Sequence, residues 1–352
     1  MGIIWSWAFG EETYTTLQNL GFSFSYPEGN YSVNDAYTYS YPGEAAGRSS
    51  LRVGADVQIY PPLGLPAQGT VSIAFLLTDI LYNSSNAKIM DIDTGGKNIK
   101  FENQGTATMK LIVDSEDSTA FTVSAGVWHW LTLKYDARTA GDYKARAYLD
   151  GVAVTSEIID TSGEAAGESN SIYFDGVAST ATVLGTTENM WLGAIVISDD
   201  YTDPTEVPRF VTRVQPTSLE SSAGSWSAVN APTVLDSVTG SMINSSSYAL
   251  NTTTIVGNNL LFEAGTTIDA ALNISASYID GVTMHFVATG SGPFGQAQLS
   301  DSSLGGWATG SSVMLTSQTS YGYASAATLP SAAPLTTAWS GSSDLYLKYE
   351  AS

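Results

Sequence analysis

The apolar and polar positions of residues 126–136 alternate without a break: His129, Leu131, Leu133 and Tyr135 fall on one side, Trp128, Trp130, Thr132 and Lys134 on the other. Residues 145–152 answer in the same rhythm, with Ala145, Ala147 and Leu149 set against Arg146, Tyr148 and Asp150. A period of two over this length predicts a pair of half-buried strands, one face on a core and the other partly wet. The polar connection 137–143, carrying Gly141-Asp142, predicts a hairpin loop, and Asp150-Gly151 a tight turn into Val152-Ala153-Val154.

The same rhythm recurs along the first half. Trp5, Trp7 and Phe9 alternate with Ile4, Ser6 and Ala8, which predicts an aromatic first strand. Further strands are expected over 51–60, closed by Pro61-Pro62, and over 71–77, 87–93, 98–101, 108–114, 171–175 and 190–198. Residues 11–20 allow one or two helical turns on the spacing of Tyr14, Leu17 and Leu20. Strands spaced so closely, with turn residues and no long helical pattern between them, predict an all-β sandwich or barrel.

At 201–208 two prolines and clustered polar residues predict a short stiff connection and a domain boundary. Beyond Arg213 the only Lys or Arg is Lys348, a shift in composition that supports the division. In the second half Leu272, Ile274, Ala276 and Tyr278 alternate toward Asp280-Gly281, and Val282, Met284, Phe286 and Ala288 alternate away from it, the pattern of a hairpin. Val313, Leu315, Leu345, Leu347 and Tyr349 supply later strands. The polar run 300–312 carries Leu304 and Trp307, whose exposure to water is unfavourable by ~25 cal/mol per Å², so both are expected to pack against a neighbouring subunit.

Thirteen Lys and Arg against 34 Asp and Glu leave a net charge of −21, which excludes a nucleic-acid partner and disfavours anionic membrane surfaces. No apolar stretch is long enough to span a bilayer as a helix, and membrane insertion is not expected. Gly2 and Ser6 fit a loose myristoylation pattern, but the first residues read more simply as the aromatic strand. The absence of cysteine removes disulfides and thiolate metal sites.

The succession Trp-His-x-Leu-x-Leu-x-Tyr-Asp (128–136), Tyr-Leu-Asp-Gly-Val (148–152) and Trp-Leu-Gly-Ala-Ile-Val-Ile-Ser-Asp (191–199) resembles the concanavalin A-like lectin/laminin-G jelly roll, over about residues 1–204. The resemblance implies a late strand that returns beside the N-terminus. Residues 209–226, from Arg209 to Trp226, resemble the opening of the β-rich module that follows such a domain in some tailed-phage virion proteins. Together they imply two domains: a concanavalin A-like jelly-roll sandwich at 1–204 and a smaller, jelly-roll-like β-sandwich at 205–352. They imply a non-enzymatic structural protein at a virion surface, in a tail fibre, tail tip or capsid decoration, working as a homotrimer beside other virion proteins. The alternative is a secreted carbohydrate-binding protein or glycosidase-related lectin.

Candidate chemistry is sparse. Glycosidases of the resembled fold carry alternate acids on one strand. The nearest phrase here is Asp91-Ile92-Asp93, with Gly96 where a third acid would stand. Catalysis is therefore not expected, and His129 and His285 are expected to be strand residues. No cofactor is expected; calcium is the one metal considered, at Asp199, Asp200 and Asp203, three hard oxygen ligands at a strand end. Tyr31, Tyr37, Tyr39 and Tyr41 alternate before Pro42. They read equally as a surface for host glycans or protein partners, or as an edge strand packed by tyrosines.

Overall fold

The computed structural model describes residues 3–9, 17–18, 20–24, 31–39, 48–53, 58–60, 65–77, 88–93, 98–104, 108–114, 116–139, 141–161, 171–175, 190–201, 216, 218–238, 248–251, 259–263, 282–288, 294–300, 308–309, 313–314, 320–326 and 346–351. The first half contributes β1 (Ile3–Ala8), β2 (Ser23–Phe24), β3 (Tyr31–Tyr39), β4 (Arg48–Val53), β5 (Gln58–Tyr60), β6 (Gln68–Leu77), β7 (Lys88–Asp93), β8 (Asn98–Asn103) and β9 (Thr108–Val113). There follow β10 (Glu116–Asp117), β11 (Phe121–Thr122), β12 (His129–Asp136), β13 (Tyr143–Leu149), β14 (Val152–Ala153), β15 (Ile158–Asp160), β16 (Ser171–Asp175) and β17 (Met190–Ser198).

These strands make two antiparallel sheets. The first runs β14-β13-β12-β6-β17-β4-β3, with β1 also paired to β17 and β15 to β13. The second runs β10-β9-β8-β7-β16-β5-β2, with β11 on β9. One apolar core lies between them. The first sheet lends Val71, Ile73, Phe75, Leu131, Leu133, Leu192 and Ile195; the second lends Ile92, Ile99, Phe101, Met109, Leu111 and Val113. Burying each such side chain stabilises the sandwich by about 1.5–3 kcal/mol. The aromatic first strand forms as its alternation predicts, turning Trp5 and Trp7 into the core against Phe22, with the Trp7 and Phe22 rings 5.7 Å apart. Its partner is the late strand β17, Trp7 standing opposite Ile195. Within 11–20, Leu17 and Leu20 are buried, and Phe22 N–H donates to Leu17 O at 3.0 Å to close a turn.

Two expectations are corrected. Residues 51–60 form two strands in different sheets, β4 in the first and β5 in the second. Each half alternates, and alternation carries no mark of the crossing. The outward face of β12 and β13 is partly wet as expected, with Trp128, Lys134 and Arg146 half-buried and Asp150 exposed, while Trp130, Thr132 and Tyr148 are buried on it and the Thr132 and Ser72 hydroxyls share a hydrogen bond of 2.8 Å. A helix also appears where none was expected.

The second half holds β18 (Ser218–Ala223), β19 (Trp226–Val229), the helix α1 (Val234–Val238), β20 (Tyr248–Asn251), β21 (Asn259–Glu263), β22 (Val282–Ala288), β23 (Phe294–Ser300), β24 (Ala308–Thr309), β25 (Val313–Met314), β26 (Ser320–Ala326) and β27 (Tyr346–Ala351). Thr233 caps α1, accepting Asp236 N–H at 3.1 Å while its hydroxyl donates to the Asp236 carboxylate at 2.6 Å. A six-stranded sheet follows the order β18-β21-β27-β23-β24, with β25 on β23, and β19-β20 and β22-β26 are two-stranded ribbons. The strand expected at 272–278 lies outside the described residues. Its expected partner, β22, pairs with β26, Met284 opposite Ala324. The chain is thus all-β in architecture, with a two-sheet sandwich in its first half.

Candidate functional site

The sandwich has two outward faces. On the first sheet, Ala74, Trp130, Ala194 and Val196 form an apolar cluster separate from the core, with Trp128 packed against it. On the second sheet, period two turns Ile92, Ile99, Phe101, Leu111 and Val113 inward. It therefore turns Asp91, Lys100, Glu102 and Lys110 away from the core.

Register brings these charges together. Asp91 stands opposite Lys100, and Glu102 opposite Lys110. Lys100 Nζ lies 3.4 Å from Glu102 Oε2, Gln104 Nε2 donates to Glu102 Oε1 at 3.1 Å, and Lys110 Nζ meets Asp117 Oδ2 at 2.5 Å. Asp91 is 0 % exposed and Glu102 8 %, so two carboxylates are buried on a face that points away from the core. Placing carboxylates out of water is unfavourable unless partners compensate, which makes this face chemically distinctive. Diagonal positions on neighbouring antiparallel strands stand ~7–8 Å apart, and Asp91 and Glu102 are such a pair.

The expected candidates are distributed as follows. Asp91 and Asp93 occupy β7, Asp93 opposite Ser171; Gly96 lies outside the described residues. Tyr31, Tyr37 and Tyr39 fall on β3, the last strand of the first sheet, which gives the run an edge position; Tyr41 lies outside the described residues. Asp199 and Asp200 follow β17, where Asp200 N–H donates to Ser198 Oγ at 3.1 Å; Asp203 lies outside. Among the described residues no group of three or more His, Asp or Glu gathers for a metal ion. Leu304 and Trp307 lie outside the described residues. No helix among the described residues is long and apolar enough to cross a membrane.

His129 is held at both ring nitrogens. Nε2 accepts Ser124 N–H at 3.3 Å, which puts the ring proton on Nδ1, donated to Asp150 Oδ2 at 2.7 Å. Sequence reasoning missed Lys100 and Glu102, although the signal was present in Ile99-Lys100-Phe101-Glu102, a charged residue after each core residue.

No family model matches this chain, and no curated protein matches it. Among solved structures it is similar to the catalytic domain of a GH131 β-glucanase from Podospora anserina, with 12% identity over 58% of this chain and 99% of that one, at a TM-score of 0.41. It is similar to a carbohydrate esterase of the Shiga toxin-encoding bacteriophage phi24B, with 13% identity over 56% of this chain and 97% of that one, at a TM-score of 0.37. The PL-14 alginate lyase of Aplysia kurodai shares 9% identity over 56% of this chain and 99% of that one, at a TM-score of 0.42. The expectation of a protein without catalysis is corrected here: the structures this chain is similar to are described as a glucanase, an esterase and lyases.

Proposed function

We propose that this chain is a carbohydrate-active β-sandwich protein that takes a glycan across the outward face of β7, β8 and β9. In this reading Asp91 and Glu102 are its working carboxylates. The observation that carries the reading is Asp91, wholly buried on that outward face, opposite Lys100 and diagonal to Glu102. Sugar hydroxyls need charged and amide groups to exchange for water, and Lys100, Glu102, Gln104 and Lys110 supply them on one surface. A diagonal separation suits a water molecule between two carboxyl groups: inverting hydrolysis places them ~6.5–9.5 Å apart. One carboxyl then gives its proton to the departing glycosidic oxygen while the other takes one from the attacking water.

Bacterial capsule polysaccharide and β-glucan are the first substrates to try, with release of reducing ends as the readout. Asp91→Asn and Glu102→Gln are each expected to lower that release at least ~100-fold, with melting temperatures close to that of the parent. Release untouched by both substitutions would remove the assignment. So would a parent chain that neither binds nor cleaves any glycan tried.

The same proposal places the protein at a virion surface, as a homotrimer beside other virion proteins. This part rests on the resemblance of residues 1–204 and 209–226, and sedimentation at micromolar concentration tests the trimer. The two-domain division at 204/205 belongs to it as well.

A further inference from the structure

We infer that β1, at the outward face of the first sheet, is a fixed docking site for this chain's own C-terminal half, engaged through the ribbon β22–β26. Ala8 of β1, Ser72 and Ala74 of β6, and Ala194 and Val196 of β17 all point away from the sandwich core, and all are buried. Their side chains are small, so a second layer of backbone can approach the sheet closely. The contact is explicit at one point: Ser6 Oγ on β1 donates to Thr283 Oγ1 on β22 at 3.1 Å. Both strands of the ribbon lie against β1.

The ribbon is packed on β1 and also on β23, β24 and β25 of its own half. Among the described strands β22 and β26 pair only with each other. An isolated two-stranded ribbon is marginally stable in water and needs packing on an apolar face to persist. Where the chain leaves β17 it is already held, because Lys134 Nζ sits 4.3 Å above the Tyr201 ring. Docking on the first sheet does not involve the carboxylate pair on the second, so it stands apart from the function proposed above.

The chain contains no cysteine, so a single engineered pair reports the contact without background. Ser6→Cys combined with Thr283→Cys is expected to form an intramolecular disulfide under air in the folded full-length protein, seen as a gel-mobility shift reversed by reductant. Two thiols that stay reactive in the folded protein would overturn the docking. Hydrogen exchange of the unaltered chain adds a check in which loss of protection counts against the docking. Amides of β22 and β26 are expected to be protected at least ~100-fold over an unstructured peptide, as befits a packed element rather than a fraying one, and unprotected exchange through both strands would overturn the inference. The locked protein is expected to keep its glycan activity. Loss of activity on locking would relocate the ligand face to the first sheet while leaving the docking intact, so the two readings fail separately.

Discussion

Single residues in this molecule serve mainly to close the sandwich. Tyr135 is buried at the end of β12, its hydroxyl donating to Pro66 O at 2.6 Å, and burial pushes its phenol well above the usual tyrosine range. The neutral form is thus favoured in the fold. An unfolded tyrosine titrates near pH ~10, so the stability tied to Tyr135 is complete below that pH and is lost as pH rises above it. Urea unfolding between about pH 8 and about pH 11 is expected to show a falling midpoint, with a shallower fall in Tyr135→Phe, which at neutral pH loses about 1 kcal/mol for the hydrogen bond. Parallel slopes in the two proteins would refute the assignment. At the other end of the strand, Asp150 adopts a φ of 48°, tolerated by Asp in a tight turn, and accepts Trp130 N–H at 2.8 Å. The Asp-Gly turn was legible in the sequence. The clamp it makes with His129 was not, since nothing in the alternation says which ring nitrogen finds a partner.

At the scale of elements, β6 and β17 form the centre of the first sheet, and the end of β17 stands close against Gly69. A Cβ at this position would fall inside the carbonyl oxygen of Ser198. Gly69→Ala must therefore push backbone against backbone, and a destabilisation of about 1–3 kcal/mol is expected, read as a lowered melting temperature. An unchanged melting temperature would show that the strand end yields freely. Most strands were legible because a sandwich strand needs alternation, and 71–77, 108–114 and 190–198 formed where alternation or apolar runs predicted. The exceptions share one cause. Residues 51–60 change sheets between β4 and β5 without losing their rhythm. Trp130 and Tyr148 on the outward face of β12 and β13 are buried by long-range packing that no local pattern records. For the candidate site, the acids of β7 were readable, but their meeting with Lys100 and Glu102 depends on register across two strands.

For the whole molecule, the core of the first half is drawn, among the described residues, from those between Ile4 and Ile197, while the outward face of its first sheet carries the apolar cluster of Ala74, Trp130, Ala194 and Val196. These two facts lead to different consequences for a chain cut near residue 204. The described residues of the core between the two sheets all come from the first half, so the fragment is expected to unfold cooperatively. Its first sheet loses the β22–β26 ribbon, and with it the layer that meets Ser6. Exposed apolar surface of this kind drives association, as contiguous patches do on other β proteins. The fragment 1–204 is therefore expected to bind a hydrophobic dye more strongly than the full chain and to self-associate in sedimentation, while retaining a sharp thermal transition. Ala194→Lys in the fragment is expected to suppress the association by placing a charge on the bared face. A fragment that stays monomeric and dye-silent would mean that residues of the first half alone bury that face. A fragment with no cooperative transition would mean that both halves share one core, and the two-domain division would fall with it.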